Sequence, residues 1–462
     1  MKPWQFFAAL FAIVAISSRG QTPLPDTISI ESPSSTVSRQ AAAFSGAWLG
    51  VWGYELPGAL IVESISSNDT AKVIYSWGDL PARRIKAGWI RQIGQISNGA
   101  LRLTSKNGPR VNYTFEPNGT LQGRYEIANS LPAFATFYRV ASTNSAEIQA
   151  AAQKGAGVRN IQVRDDGLRG TLFLPAGKGP WPGVIVLGGS DGGLPGGDAA
   201  FLATKGDAAL ALAYFHYEDL PQSLENIPLE YFQTAIHWLQ ASKYIEHNNI
   251  AVLGASRGGE LALLLGATFP EIHAVVAMSP SSVVWGGLGT NANSDEQPAW
   301  TYQGKPLPFL DSSTLSPKQW EQVASLSKSD PYNYVPWYQA VLADKPAVAK
   351  ASIAVEKING PVLLVSGNDD KLWPSTQMSD MVMKRLRETR HPFPDRHLAY
   401  PGAGHYIPLP NTPVSTNVFT HPIAKVKLEM GGDPKRTEAA SADVWPRIID
   451  FLNQSLSDDT KP

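Results

Sequence analysis

Ile250-Ala251-Val252-Leu253-Gly254-Ala255-Ser256-Arg257-Gly258-Gly259-Glu260 is the stretch on which the reading of this chain turns. Its first four residues are apolar without alternation, which suits a strand buried on both faces, and Leu261, Leu263, Leu264 and Leu265 continue beyond it as a helix. Gly254 and Gly258 stand two residues either side of Ser256, the G-x-S-x-G spacing that lets a serine sit on a sharp strand-to-helix turn. A glycine-rich turn alone could carry the same letters. The strand before and the helix after make Ser256 a candidate nucleophile with its hydroxyl presented above a sheet.

Outward from this point the texture repeats. Trp181 to Gly189, Ala209 to Tyr214, Ala274 to Met278 and Val362 to Val365 are further apolar runs, and Leu229, Phe232, Ile236 and Leu239 fall at helix-face spacing between them. Strands alternating with helices predict an α/β domain with a doubly wound, mostly parallel sheet over residues 158–458. Residues 44–141 differ: short alternating runs such as Ala59 to Ile65, Ala71 to Trp77, Leu101 to Ser105, Val111 to Phe115 and Leu121 to Ile127 predict a small antiparallel β barrel or sandwich. Asn98-Gly99, Asn107-Gly108 and Asn118-Gly119 supply residues for tight hairpin turns. In the opening run Gly46 to Gly53, Trp48 and Trp52 share one strand face, either as buried core or as a surface for sugars or lipids. Residues 142–157, small and polar, read as an inter-domain linker, and residues 21–43, rich in Pro, Ser and Thr, as a solvated, disordered one.

A serine hydroxyl is a weak nucleophile at neutral pH and needs a base, itself oriented by a carboxylate. After the run Pro361 to Val365 comes Ser366-Gly367-Asn368-Asp369-Asp370, which puts a carboxylate at the C-terminal end of a strand. Adjacent residues point apart, and the usual spacing after the glycine favours Asp370 over Asp369. His405 follows a strand-like run in the loop Tyr400-Pro401-Gly402-Ala403-Gly404-His405, giving the chain order Ser, Asp, His of the α/β-hydrolases. Two N–H donors are needed for a developing oxyanion: Arg257, next to the nucleophile, and Ser190 in the loop Gly188-Gly189-Ser190-Asp191-Gly192-Gly193 are the candidates. That loop is not followed by G-K-[ST], so no phosphate cradle is inferred. His216, His237, His247, His273, His391, His397 and His421 read as ordinary histidines; none falls at metal-ligand spacing, and neither metal nor cofactor is expected. Glu260, four residues past Ser256, either pairs with a nearby base or favours the helix N-terminus; the structural role is preferred.

With these residues in hand, longer stretches fall into place. Arg169 to Pro175, Ala211 to Pro221, Leu229 to Phe232, Gly254 to Glu260, Tyr302 to Pro308, Asp369-Asp370 with Trp373 and Ser375, Tyr400 to Ile407 and Gly431 to Pro434 succeed one another in order. From about Val158 onward the chain resembles the catalytic domain of the acyl-CoA thioesterase and bile acid-CoA:amino acid N-acyltransferase family. The resemblance implies an α/β-hydrolase domain whose Ser/Cys-Asp-His triad acts on acyl thioesters, with Ser256, Asp370 and His405 at the matching positions, and it points toward fatty acid metabolism. Members that transfer the acyl group to an amino acid look cysteine-dependent, so the serine here favours water as acceptor. The family's own N-terminal β-sandwich is not recognisable in residues 44–141.

Composition bounds the remaining possibilities. The 462 residues carry 39 Lys and Arg against 40 Asp and Glu, so no global field recruits nucleic acid, and a small-molecule acyl ester or thioester is the expected partner. No cysteine is present, which excludes disulfides and a thiol nucleophile. Residues 1–20, with Lys2 ahead of the apolar run Phe6 to Ile16, read as a signal peptide rather than an uncleaved anchor, because about a dozen residues are too short to span a bilayer. Export to the periplasm or medium, with no integral segment after cleavage, is the expectation; acyl-CoA would be scarce there. The oligomeric state is left open. Residues 286–349, bearing Trp300, Trp320 and Trp337, either cap an apolar acyl site or simply pack. The sequence thus predicts a serine hydrolase working through an acyl-Ser256 intermediate. An acyltransferase to an alcohol or amine, and a binding protein with a vestigial hydrolase fold, are the alternatives.

Overall fold

The computed structural model describes residues 22–52, 56–79, 85–104, 109–115, 119–126, 133–154, 159–175, 177–290, 294–326, 330–410, 414 and 417–457. The leader read in residues 1–20, the Asn107-Gly108 turn and Asn118 of the Asn118-Gly119 turn lie outside them.

After a single turn of helix, α1 (Arg39–Ala42), eight antiparallel strands follow one another: β1 (Gly46–Trp52), β2 (Leu56–Ile65), β3 (Thr70–Trp77), β4 (Gly88–Ser97), β5 (Ala100–Thr104), β6 (Arg110–Phe115), β7 (Leu121–Glu126) and β8 (Ala133–Arg139). Strand β8 returns to pair with β1, so the sheet is a closed barrel and not a sandwich, and closure removes both edges. Between β4 and β5, Asn98 (φ 50°) and Gly99 (φ 73°) are both left-handed, as a two-residue hairpin turn requires. Trp48 and Trp52 point inward and pack with Leu60, Val62, Val73, Leu101, Tyr113 and Phe137. They are core residues.

The flanks of the barrel differ from the sequence expectation. Residues 22–43 are not a solvated linker: Val37 and Ala41 join the interior cluster, Ile28 packs on the outer face, and Glu31 N–H donates to the Glu63 carbonyl at 2.8 Å. Residues 145–154 of the expected inter-domain linker form α2 (Ser145–Lys154), whose Ile148 and Ala152 cover the outward side chains Ala47, Leu49, Ala59, Ile61 and Ile74. Strands β1 to β3 therefore bury both faces. Single apolar residues pressed against an already formed barrel need no period of their own, and the sequence pattern passes over them.

The second half begins with β9 (Arg159–Val163), β10 (Arg169–Leu174), β11 (Trp181–Leu187), α3 (Gly196–Ala203), β12 (Ala208–Ala213), β13 (Ile227–Pro228), α4 (Leu229–Ala241), β14 (Ile245–Ala255), α5 (Arg257–Thr268) and β15 (Ala274–Met278). It continues with β16 (Trp300–Tyr302), β17 (Lys305–Pro306), α6 (Pro317–Leu326), α7 (Val335–Leu342), α8 (Lys345–Ala351), β18 (Val362–Gly367), α9 (Ser375–Glu388), β19 (Arg396–Tyr400), β20 (Val418–Thr420), β21 (Lys427–Glu429) and α10 (Pro434–Leu456). Eight of these strands form one sheet in the order β19-β18-β15-β14-β11-β12-β10-β9, parallel throughout except where β10 meets β12 and β9.

Alternation along each central strand builds two cores. Ile185, Leu210, Val252, Val275 and Leu364 face α4, α5 and α9, whereas Val184, Val186, Ala211, Leu253, Val276 and Leu363 face α3 and α10. Helices on both faces of a mostly parallel sheet are the α/β-hydrolase architecture. The chain leaves the sheet after β15 and returns at β18; the intervening residues carry α6 to α8, and Val283, Trp285, Leu310 and Leu342 among them form a smaller apolar cluster with Trp373.

Candidate active site

At the C-terminal end of β14 the backbone turns within one residue into α5, and Ser256 takes φ 58°, ψ −120°. A side chain at that φ is strained, and the neighbours hold it there: Ser256 N–H donates to the Met278 carbonyl at 2.8 Å, and its carbonyl accepts from Gly259 and Glu260 at 2.9 and 3.0 Å. The glycines are sterically required. A Cβ on Gly254 would lie 2.1 Å from the Gly258 carbonyl oxygen, and one on Gly258 would lie 2.3 Å from that of Gly188. That last contact brings the loop after β11 against the elbow, where a Cβ on Gly189 would be 3.5 Å from Ser256 Cβ.

Asp370 follows β18 and His405 lies in the loop after β19. His405 Nδ1 meets Asp370 Oδ2 at 2.8 Å, and both side chains are buried. The carboxylate is otherwise saturated: Oδ1 accepts the amides of Leu372 and Trp373 at 2.9 and 3.1 Å, and Oδ2 accepts the Ser375 hydroxyl at 2.6 Å. With Nδ1–H engaged by Asp370, the free lone pair of a neutral His405 lies on Nε2. Asp369 faces away and pairs with Lys371 at 2.7 Å. Ser279, the residue after β15, links the pieces: its hydroxyl donates to the His405 carbonyl at 2.6 Å and its own carbonyl accepts the Trp373 indole N–H at 3.0 Å. Among the described residues no hydrogen bond joins Ser256 Oγ to His405; such contacts often tighten only with substrate present.

Ser190, Ser256 and Arg257 line one cavity of about 430 Å³ whose wall includes the aromatic side chains of Trp285, Trp320, Tyr332, Tyr334, Trp337, Tyr338 and Trp373. That volume lies within the usual range for small-molecule sites of about 300–1,000 Å³. Trp320 and Trp337, from the segment between β15 and β18, face this cavity. Trp300 does not: it is fully buried against Tyr214 and Phe232 in the sheet core. The amides of Ser190 and Arg257 make no backbone hydrogen bond among the described residues, so both remain available to a ligand.

Below the cavity Glu260 is wholly buried. Its Oε2 forms an ion pair with Arg257 Nη1 at 3.1 Å and its Oε1 accepts Trp300 Nε1–H at 2.8 Å. Burial pushes the Glu260 carboxyl above the ordinary glutamate range, and the Arg257 charge only partly offsets this. Arg257 Nη2 donates to the Trp285 and Gly286 carbonyls at 3.1 and 3.0 Å, which ties the cavity wall to the elbow helix. Glu260 thus both pairs with a base and serves a structural role.

His421 is the residue that sequence reasoning passed over as ordinary. It is buried, lines the cavity, and its Nε2 lies 3.1 Å from Ser190 Oγ. The two are 231 positions apart, and no local pattern marks the pair.

The profile of the family described as "BAAT / Acyl-CoA thioester hydrolase C terminal" matches residues 227–458. Mitochondrial acyl-coenzyme A thioesterase 2 of Mus musculus is 33% identical over 300 residues, covering 65% of this chain and 61% of the relative. Acyl-coenzyme A amino acid N-acyltransferase 2 of Rattus norvegicus is 33% identical over 304 residues, covering 65% of this chain and 67% of the relative. The chain thus spans less than two thirds of the length of the mouse thioesterase. Among solved structures it is similar to 2,6-dihydroxy-pseudo-oxynicotine hydrolase, with a TM-score of 0.37 and 16% identity over 67% of this chain and 70% of the other.

Proposed function

The chain belongs to the BAAT / acyl-CoA thioester hydrolase family, and on that premise we propose that it is a serine hydrolase cleaving an acyl ester or thioester through an acyl-Ser256 intermediate. The observation that carries the reading is the positive-φ Ser256 opening into an aromatic cavity, in a protein whose His405 is anchored at 2.8 Å to a saturated Asp370.

In this reading His405 Nε2 takes the Ser256 Oγ proton as Oγ attacks the acyl carbonyl carbon, while Asp370 stabilises the imidazolium through Nδ1–H. The carbonyl oxygen becomes an oxyanion facing the Ser190 and Arg257 amides. Collapse breaks the bond to the leaving alcohol or thiol, which receives the proton from His405. Water then enters by the same route in reverse, with His405 taking its proton, and releases the free acid and Ser256. The acyl chain would lie among Trp285, Trp337 and Tyr338.

The test is a pre-steady-state assay on aryl esters and acyl thioesters of graded chain length, comparing wild type with Ser256→Ala. A burst of leaving group stoichiometric with enzyme is expected in the wild type, with turnover at least about 10⁴-fold lower in the variant. Equal turnover by the two proteins would sink the mechanism. Similarity to an N-acyltransferase favours a second reading, transfer to an amine; an amide product formed on addition of glycine or taurine would establish it, and free acid alone would support hydrolysis. Export is likewise a proposal, checked by N-terminal sequencing of the mature protein, which should begin shortly after residue 17 or 20.

A further inference from the structure

The Ser190–His421 contact has a direction. His421 Nδ1 accepts two backbone N–H groups, from Ile423 at 3.2 Å and Ala424 at 3.1 Å. A ring nitrogen that accepts carries no proton, so the proton of the neutral imidazole lies on Nε2. Desolvation, with repulsion from His216 and Lys425, holds the His421 pKa below its ordinary value, although hydrogen bonding to the Ser190 backbone pulls the other way; the neutral form is favoured at neutral pH. The 3.1 Å contact therefore runs from Nε2–H of His421 to Ser190 Oγ.

Two consequences follow from that polarity. His421 cannot act as a base toward Ser190, so the pair is not a second nucleophilic dyad. Ser190 Oγ, once it has accepted from the ring, keeps its own O–H to donate, and it makes no other side-chain hydrogen bond among the described residues. Ser190 lines the same cavity as Ser256, and the preceding residue runs past the nucleophile, where a Cβ on Gly189 would stand 3.5 Å from Ser256 Cβ.

Building on the acyl-Ser256 reading, we propose that Ser190 serves the reaction with its side chain as well as its amide: its hydroxyl donates a further hydrogen bond to the oxyanion, and His421 is the positioning residue that aims it. The arrangement suits a transition state more than a ground state. A hydroxyl that accepts from a fixed donor has its remaining proton preoriented, and the field it supplies strengthens as charge develops on the acyl oxygen. Because the hydrogen bond spans two distant segments, it also ties the turn between β20 and β21 to the loop after β11 at the point where the acyl group reacts.

The test is a double-mutant cycle on the full chain, read as kcat and KM separately on the aryl ester that gives the wild-type burst. Ser190→Ala is expected to lower kcat about 10- to 100-fold with KM within about 2-fold, and Ser190→Thr, which keeps a hydroxyl, to recover most of the loss. His421→Ala should reproduce the Ser190→Ala defect, His421→Gln should partly restore it through its amide N–H, and the double alanine variant should be no slower than Ser190→Ala alone. An aryl boronic acid, whose tetrahedral adduct mimics the oxyanion state, should lose affinity in parallel with kcat. Unchanged kcat in Ser190→Ala, additive losses in the double variant, or a kcat loss without loss of boronate affinity would overturn the proposal. If Ser256→Ala retains turnover, the acyl-Ser256 reading falls and this one with it; if Ser256→Ala is inactive while Ser190→Ala is not impaired, only this one falls.

Discussion

Asp370 and Asp207 are two buried carboxylates in opposite circumstances. Asp370 accepts four hydrogen bonds, from Leu372, Trp373, Ser375 and His405, so its charge is dispersed over donors that are already in place. Asp207, at the start of β12, is 1% exposed and its Oδ2 has no hydrogen-bond partner among the described residues. Burial pushes its pKa from 3.8 up to about 7. A carboxyl whose folded pKa is raised favours folding less as pH rises: the penalty is absent well below 3.8, grows between 3.8 and about 7, and is complete above that. Asp207→Asn should therefore stabilise the α/β unit by up to about 4 kcal/mol at pH 8 and by almost nothing at about pH 3. Urea unfolding at the two pH values reads the difference, and an equal gain at both would show that titration of Asp207 is not its source.

The elbow is decided at the level of whole elements, by how closely β14, α5 and the end of β11 approach one another. At Gly258 a Cβ would meet the carbonyl oxygens of Gly188 at 2.3 Å and Leu187 at 2.7 Å, and both are backbone that cannot rotate away. Gly258→Ala should cost about 3 kcal/mol or more and lower kcat by more than about 100-fold, because the strand end that must yield also carries Ser190. Gly197 in α3 is the control: a Cβ there reaches only a Leu409 methyl at 4.0 Å, so Gly197→Ala should raise stability by up to about 1 kcal/mol through helix propensity. Thermal unfolding of the two variants should move in opposite directions. A neutral Gly258→Ala would mean that the close approach is relaxed in solution.

Among the described residues, the apolar clusters of the barrel share no residue with those of the α/β unit. The barrel has its own interior, and α2 covers its outer face. Two separate unfolding transitions are expected by calorimetry. Ile148, fully buried on α2 against Ala47, Leu49 and Ile61, belongs to one of them. Ile148→Ala should destabilise the barrel transition by about 2–5 kcal/mol and leave the other transition and the turnover rate unchanged. A single transition that shifts as a unit would show instead that the two parts fold together. No described helix is long and apolar enough to cross a membrane.

How much of this was legible in advance depended on range. The strand ending at Ala255, the glycines around Ser256 and the paired Asn98-Gly99 could be read because backbone sterics and hydrophobic period act between residues a few positions apart. The same locality marked Ser256, Asp370 and His405 one by one as residues at strand ends. Residues 22–43 escaped because Ile28, Val37 and Ala41 are isolated apolar residues that pack on a surface built elsewhere. Trp300 and Trp320 look alike in sequence, yet one is sealed in the sheet core and the other faces the cavity.

By itself the sequence determined the alternating elements, the positions of the sharp turns and the residue types available at them, all products of local geometry. Only the tertiary structure decided that the N-terminal sheet closes on itself, that Ser375 and Ser279 brace the acid and the histidine, and that His421 reaches back to Ser190. Those are contacts between segments far apart in the chain, set by how preformed surfaces pack, and they leave no periodic trace in the residues that make them.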